Sequence, residues 1–133
     1  MTLDQWTLVK RAAGVTRKAT VGVYPDNIRI DFFVIIGIGN AWAVSRVLAT
    51  ELQNTQTALS PVSKALGAKM SSIGVGDIQG WKRDIAFSAE GSYKWSDMPP
   101  ERLQDPHKTA ETIAVALRSG GWKVDRLDVR GRF

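Results

Sequence analysis

The sequence predicts an α+β protein, a two-layer sandwich in which helices cover one face of an antiparallel sheet. Three observations lead there: two alternating apolar runs joined by turn residues near position 26, a sharply marked helix start at Asp105-Pro106, and the order strand, helix, strand, strand, helix, strand from Ile28 onward.

The first strand signal is Ala19, Val21 and Val23 alternating with Thr20, Gly22 and Tyr24, after which Pro25-Asp26-Asn27 supplies turn chemistry. The return strand runs from Ile28 to Ile36. It alternates at first and then becomes continuously apolar, as a central strand covered on both faces does. Gly37, Gly39 and Asn40 end it, with Asn40 placed to cap a helix carrying Val44, Val47, Leu48 and Leu52 on one face. Ser60-Pro61 has the form of a cap and first-turn proline, which predicts a second, short helical piece stopped by Gly67. Strands are expected around Met70 to Val75 and Arg83 to Ala89, with Glu90-Gly91 turning the chain into Tyr93-Lys94-Trp95. In the helix opened by Asp105-Pro106, Ala110, Ile113, Ala114 and Leu117 fall at i, i+3, i+4 and i+7, and Gly120-Gly121 closes it. A last strand starts at Trp122. Its apolar phase shifts from Trp122 and Val124 to Leu127 and Val129, which predicts a bulge near Asp125-Arg126.

This order is that of a ferredoxin-like β-α-β-β-α-β core with an extra N-terminal strand and a hairpin extension. The 133 residues contain no repeat and no Ser/Gly/Pro linker, so one domain over 1–133 is expected. An apolar fraction of 44% with 23% charged residues is that of a folded globular chain, which excludes wholesale disorder. With no Cys there is no disulfide framework, thiolate nucleophile, zinc finger or cysteine-held cluster. The longest uncharged stretch, Phe32 to Ser45, contains two Gly and an Asn and falls short of the roughly 20 apolar residues a spanning helix needs. Lys10-Arg11 stands where the apolar core of a secretion signal belongs, so a cytoplasmic location without membrane attachment is expected.

Catalytic and cofactor constellations are weak. Gly37-Ile38-Gly39 has Trp42 where the dinucleotide fingerprint needs its third Gly, and no Gly-Lys-Ser/Thr exists for a triphosphate loop. His107, on the first turn of a helix, shows no partner at a recognisable spacing and reads as a solvated side chain. Pro25-Asp26 matches the opening of the PD-(D/E)xK nuclease pattern, but no Asp-x-Lys or Glu-x-Lys follows, and the remaining carboxylates are scattered. We therefore expect no enzyme, cofactor or metal.

The basic residues are more informative. The net charge is +5, with Lys10, Arg11, Arg17 and Lys18 set against Asp4 alone in the first twenty residues. Arg118, Lys123, Arg126, Arg130 and Arg132 stand against Asp125 and Asp128 at the other end. If the two ends converge, their field attracts a polyanion. With Ile28, Ile30, Phe32, Val34 and Ile36 facing the helices, the pleat turns Arg29, Asp31, Phe33 and Ile35 to the other side. Phe33 beside Arg29 can then stack a base and hold its phosphate. The strand order is similar to that of RNA-recognition modules. Arg83-Asp84-Ile85-Ala86-Phe87-Ser88 keeps the basic residue, the Ala and one Phe of their octamer, but lacks its Gly and first aromatic.

The turn at Glu90-Gly91 decides what else is displayed. A two-residue turn puts Tyr93 and Trp95 on the face of Lys82. A three-residue turn sends every large apolar group to the core, which the apolar pattern favours although Gly91 suits the first. The expected function is non-catalytic nucleic-acid binding, with Lys10, Arg11, Arg17, Lys18, Arg29 and Lys82 on phosphates and Phe33, Tyr93 and Trp95 stacking. The alternative is a protein-interaction module, a homodimer or a small subunit or inhibitor of a larger assembly, that uses the same sheet face.

Overall fold

Three consecutive antiparallel strands open the chain: β1 (Asp4–Ala12), β2 (Val15–Val23) and β3 (Asn27–Gly37). The computed structural model describes residues 2–12, 14–37, 44–70, 72–75, 79–81 and 84–128. Two strands thus precede β3 where the sequence suggests one. In β1 the apolar pair Leu8-Val9 and the charges at Lys10 and Arg11 blur the alternation that marks β2. Gly14, at φ +75°, makes the tight β1–β2 connection possible.

Helix α1 (Val44–Leu66) follows, then β4 (Ser72–Val75), β5 (Gln79–Trp81) and β6 (Asp84–Lys94). A 3₁₀ turn at Trp95–Asp97, the four-residue helix α2 (Glu101–Gln104), α3 (Pro106–Ser119) and β7 (Lys123–Asp128) complete the chain. The sheet order is β4-β6-β3-β2-β1-β7, with β5 also paired to β6, and every described pairing is antiparallel. From β3 onward the expected alternation of strands and helices is present in outline, with β5 and α2 as additions, and the β1–β2 hairpin lies between β3 and β7. The β7 register slips against β1, from Thr7↔Arg126 to Leu8↔Val124, leaving Asp125 as the extra residue near the predicted bulge.

The helices lie on one face, giving the two-layer α+β sandwich. Beneath them sit Leu8, Ala19, Val21, Val23, Ile28, Ile30 and Phe32 from the sheet, Leu59, Val62 and Leu66 from α1, and Ala110, Ile113, Ala114 and Leu117 from α3. The α3 boundaries follow local chemistry. The Asp105 carboxylate accepts from Lys108 N at 3.0 Å, Pro106 occupies the first turn, and Gly121 turns at φ +94° beyond the end. No helix among the described residues is long and apolar enough to cross a membrane.

Two elements differ from the expectation. Residues 44–66 form one helix that continues through Ser60-Pro61, because Leu59, Val62 and Leu66 bury on one side and tertiary packing outweighs the bond that proline forfeits. The helix does stop at Gly67, where φ is +69° and Ala68 N bonds back to Ser63 O at 3.2 Å. Likewise β6 runs straight through Glu90-Gly91, so the hairpin turn expected there does not exist. A Cβ on Gly91 would lie 2.7 Å from Leu59 Cδ1; glycine at this position lets α1 approach the strand.

Candidate functional site

Strand alternation leaves the face opposite the helices without a covering layer among the described elements. Along β3 it presents Arg29, Asp31, Phe33 and Ile35, of which Phe33 is 45% and Ile35 56% exposed. Lys18 of β2 is the direct cross-strand neighbour of Phe33, Val9 of β1 neighbours Lys18, and Lys123 of β7 neighbours Val9. One row across four strands therefore reads Lys123, Val9, Lys18, Phe33. Arg11 follows Val9 two residues along β1 and faces the same way. Arg11, Lys18 and Lys123 are all exposed, and none makes an ion pair with a described residue. Arg126 takes the register position opposite Thr7.

A second cation and aromatic pair lies farther along the same face. The Arg29 guanidinium stacks 4.3 Å from the centroid of Tyr24, whose ring fills the space above Gly22, where a Cβ would come within 2.6 Å of it. Arg29 Nε is buried without a hydrogen-bond partner. Tyr24 was not among the expected ligand contacts, although it continues the alternation of Thr20 and Gly22. Between the two pairs, Asp31 faces Glu90 across β3 and β6. Burial first, then the hydrogen bond and charge of Glu90, push the Asp31 carboxyl up to about 6, while Arg29 works in the opposite direction.

The remaining expected contacts are distributed differently. Lys10 and Arg17 pair across β1 and β2 on the helix side, so the basic residues near the N-terminus are split between the two faces. Arg17 is committed: its Nε and Nη2 donate to the buried Glu51 carboxylate at 3.1 and 2.6 Å, which raises the guanidinium pKa further. Tyr93 is fully buried under α1, its hydroxyl 2.7 Å from Ser63 Oγ, and burial pushes its phenol pKa up. A ring sealed in the core does not stack on a base, so Tyr93 is corrected from ligand contact to core residue. Trp95, half-buried in the 3₁₀ turn, donates Nε1–H to Tyr24 O at 2.8 Å and packs against the core. It braces the β2–β3 turn. Lys82 lies outside the described residues.

His107 differs from its reading as a solvated side chain. Its Nδ1 lies 2.6 Å from Oδ2 of Asp4, a carboxylate with no exposed surface. The orienting half of an acid–base dyad is thus present, held by β1 and α3 and invisible at a separation of 103 residues. Among the described residues no hydroxyl bonds to this imidazole, and no group of three or more His, Asp or Glu is placed to hold a metal ion.

No protein-family model, curated protein or solved structure matches the chain.

Proposed function

We propose that the protein is a non-catalytic nucleic-acid-binding module that works through the open sheet face and takes a single strand. The supporting observation is the strand register, which sets Lys18 directly beside the exposed Phe33 ring, with Arg11 of β1 and Lys123 of β7 farther across the same face. Cations flanking an aromatic on a flat sheet hold the phosphates of a single strand while a splayed base stacks on the ring. The Tyr24–Arg29 pair offers a second stacking position. Lys10, Arg17, Tyr93 and Trp95 leave the footprint for the packing reasons given above. The same reading takes the sheet as a ferredoxin-like plait with the β1–β2 hairpin inserted before its last strand, in a protein of the cytoplasm.

The adjacent exposure of Phe33 and Ile35 favours a second reading, an interface for another copy of the chain or for a larger assembly. One experiment separates the two. Phe33→Ala is titrated with a fluorescent single-stranded oligonucleotide by anisotropy, and its mass is measured by sedimentation. Loss of one base stack, roughly 1–3 kcal/mol, predicts about tenfold weaker binding at unchanged mass. An unmodified chain that ignores the oligonucleotide, with a mass that falls on Phe33→Ala, puts the interface in its place.

A further inference from the structure

On the helix side of the sheet, Lys10 and Arg17 stand directly opposite one another on β1 and β2. Like charges in that position repel, and among the described residues only Arg17 of the two is paired with a carboxylate. Glu51 is 3% exposed and is consumed by Arg17 through two hydrogen bonds, with Asn54 Nδ2 donating a third to it at 3.3 Å. Lys10 is left without a carboxylate. Its stem lies against the turn after α3, since a Cβ on Gly121 would meet Lys10 Cε at 3.5 Å. The negative end of the α3 dipole lies there, but amounts to roughly half a charge and does not cancel an ammonium.

These groups line a groove of about 240 Å³ between α1, the end of α3 and the β1–β2 hairpin. One wall is polar, with Lys10, Arg17, Asn54 and Thr57; the other is small and apolar, formed by Ala12 and Ala58, with Leu117 and Trp122, both almost completely buried, adding little surface. The Thr57 hydroxyl accepts from Gln53 Nε2 at 3.4 Å, which leaves its own proton to donate. We infer that this groove binds a small organic monoanion with a compact apolar body, of the aryl or short-chain carboxylate class. The carboxylate lies between Lys10 and the Asn54–Thr57 side of α1, away from Gly120, and the apolar body lies against Ala12, Ala58 and the small exposed part of Trp122. The volume is below the usual range for drug-sized ligands, which sets the size class, and one uncompensated cation sets the charge. An inorganic anion leaves the apolar wall without a partner. Lys10 faces away from the open sheet face, so this site stands or falls independently of nucleic-acid binding.

The test is a ¹H–¹⁵N titration of the whole chain with benzoate, with its neutral analogue benzamide and with inorganic phosphate, repeated on Lys10→Gln. Benzoate is expected to give saturable shifts at the amides of Asn54, Thr57, Gly121 and Trp122. Benzamide, and benzoate on Lys10→Gln, should each bind at least about tenfold more weakly, the loss of one charge-assisted contact, and phosphate should bind more weakly than benzoate because it leaves the apolar wall uncovered. Absence of saturable shifts at these amides, or equal binding of benzoate and benzamide, overturns the proposal and leaves Lys10 as a cation resting on the end of α3. Should Lys10→Gln disturb the fold, the comparison of benzoate with benzamide on the unmodified chain decides alone.

Discussion

Asp31 and Glu90 share the middle of the open face, and their pairing has a definite cost. The folded Asp31 carboxyl titrates near 6, above its ordinary 3.8, so the folded chain holds that proton more tightly than the unfolded chain does. Its contribution to stability is complete below the unfolded value and is lost as pH rises through about 6. Asp31→Asn should therefore remove part of the fall in unfolding free energy between about pH 4 and pH 6, and should be more stable than the unmodified chain at neutral pH. Urea unfolding at a series of pH values checks this. Parallel profiles for the two proteins would show that the carboxyls do not share a proton. Residue-scale features of this kind were illegible beforehand, because Asp31 and Glu90 meet only through the β3–β6 register, as Asp4 and His107 meet only through packing of β1 on α3.

At the scale of the element, legibility followed locality. The α3 cap, its stripe at Ala110, Ile113, Ala114 and Leu117 and its glycine stop lie within one segment, and the structure contains them as read. Gly91 carries the opposite lesson. Glycine after Glu90 resembles a turn, yet its role is set by Leu59 of α1, which no local pattern reveals. Pro61 misled for the same reason. Gly91→Ala, tolerable at a turn, should here push against Leu59 and cost about 1–2 kcal/mol in denaturant unfolding. Combining it with Leu59→Ala should cost less than the two changes summed. A neutral or stabilising Gly91→Ala would mean that α1 does not rest on this position. The candidate site is partly legible too: β3 alternation marks Arg29 and Phe33, but the blurred pattern of β1 hides the separation of Lys10 and Arg17 from Arg11 and Lys18.

For the molecule as a whole, the proposed binding depends on which face carries the cations. Pairing of β1 with β7 brings segments far apart in sequence together at one edge of the sheet, and alternation divides the cations of β1 and β2 between its two faces. Arg17 anchors α1, Lys10 lines a groove, and Lys18 stands beside Phe33 with Arg11 and Lys123 farther across the same face. Lys10 and Arg11 are adjacent in sequence and opposed in space, which makes them the sharpest comparison. The deciding measurement is the affinity for a single-stranded oligonucleotide as a function of salt, for the unmodified chain, Lys10→Glu and the double variant Arg11→Glu/Lys18→Glu. The double variant is expected to lose at least about tenfold in affinity, with its log–log salt slope falling by about 1–2, whereas Lys10→Glu stays within about twofold at near-physiological salt. Equal losses from the two variants, or none from either, would contradict the proposed binding.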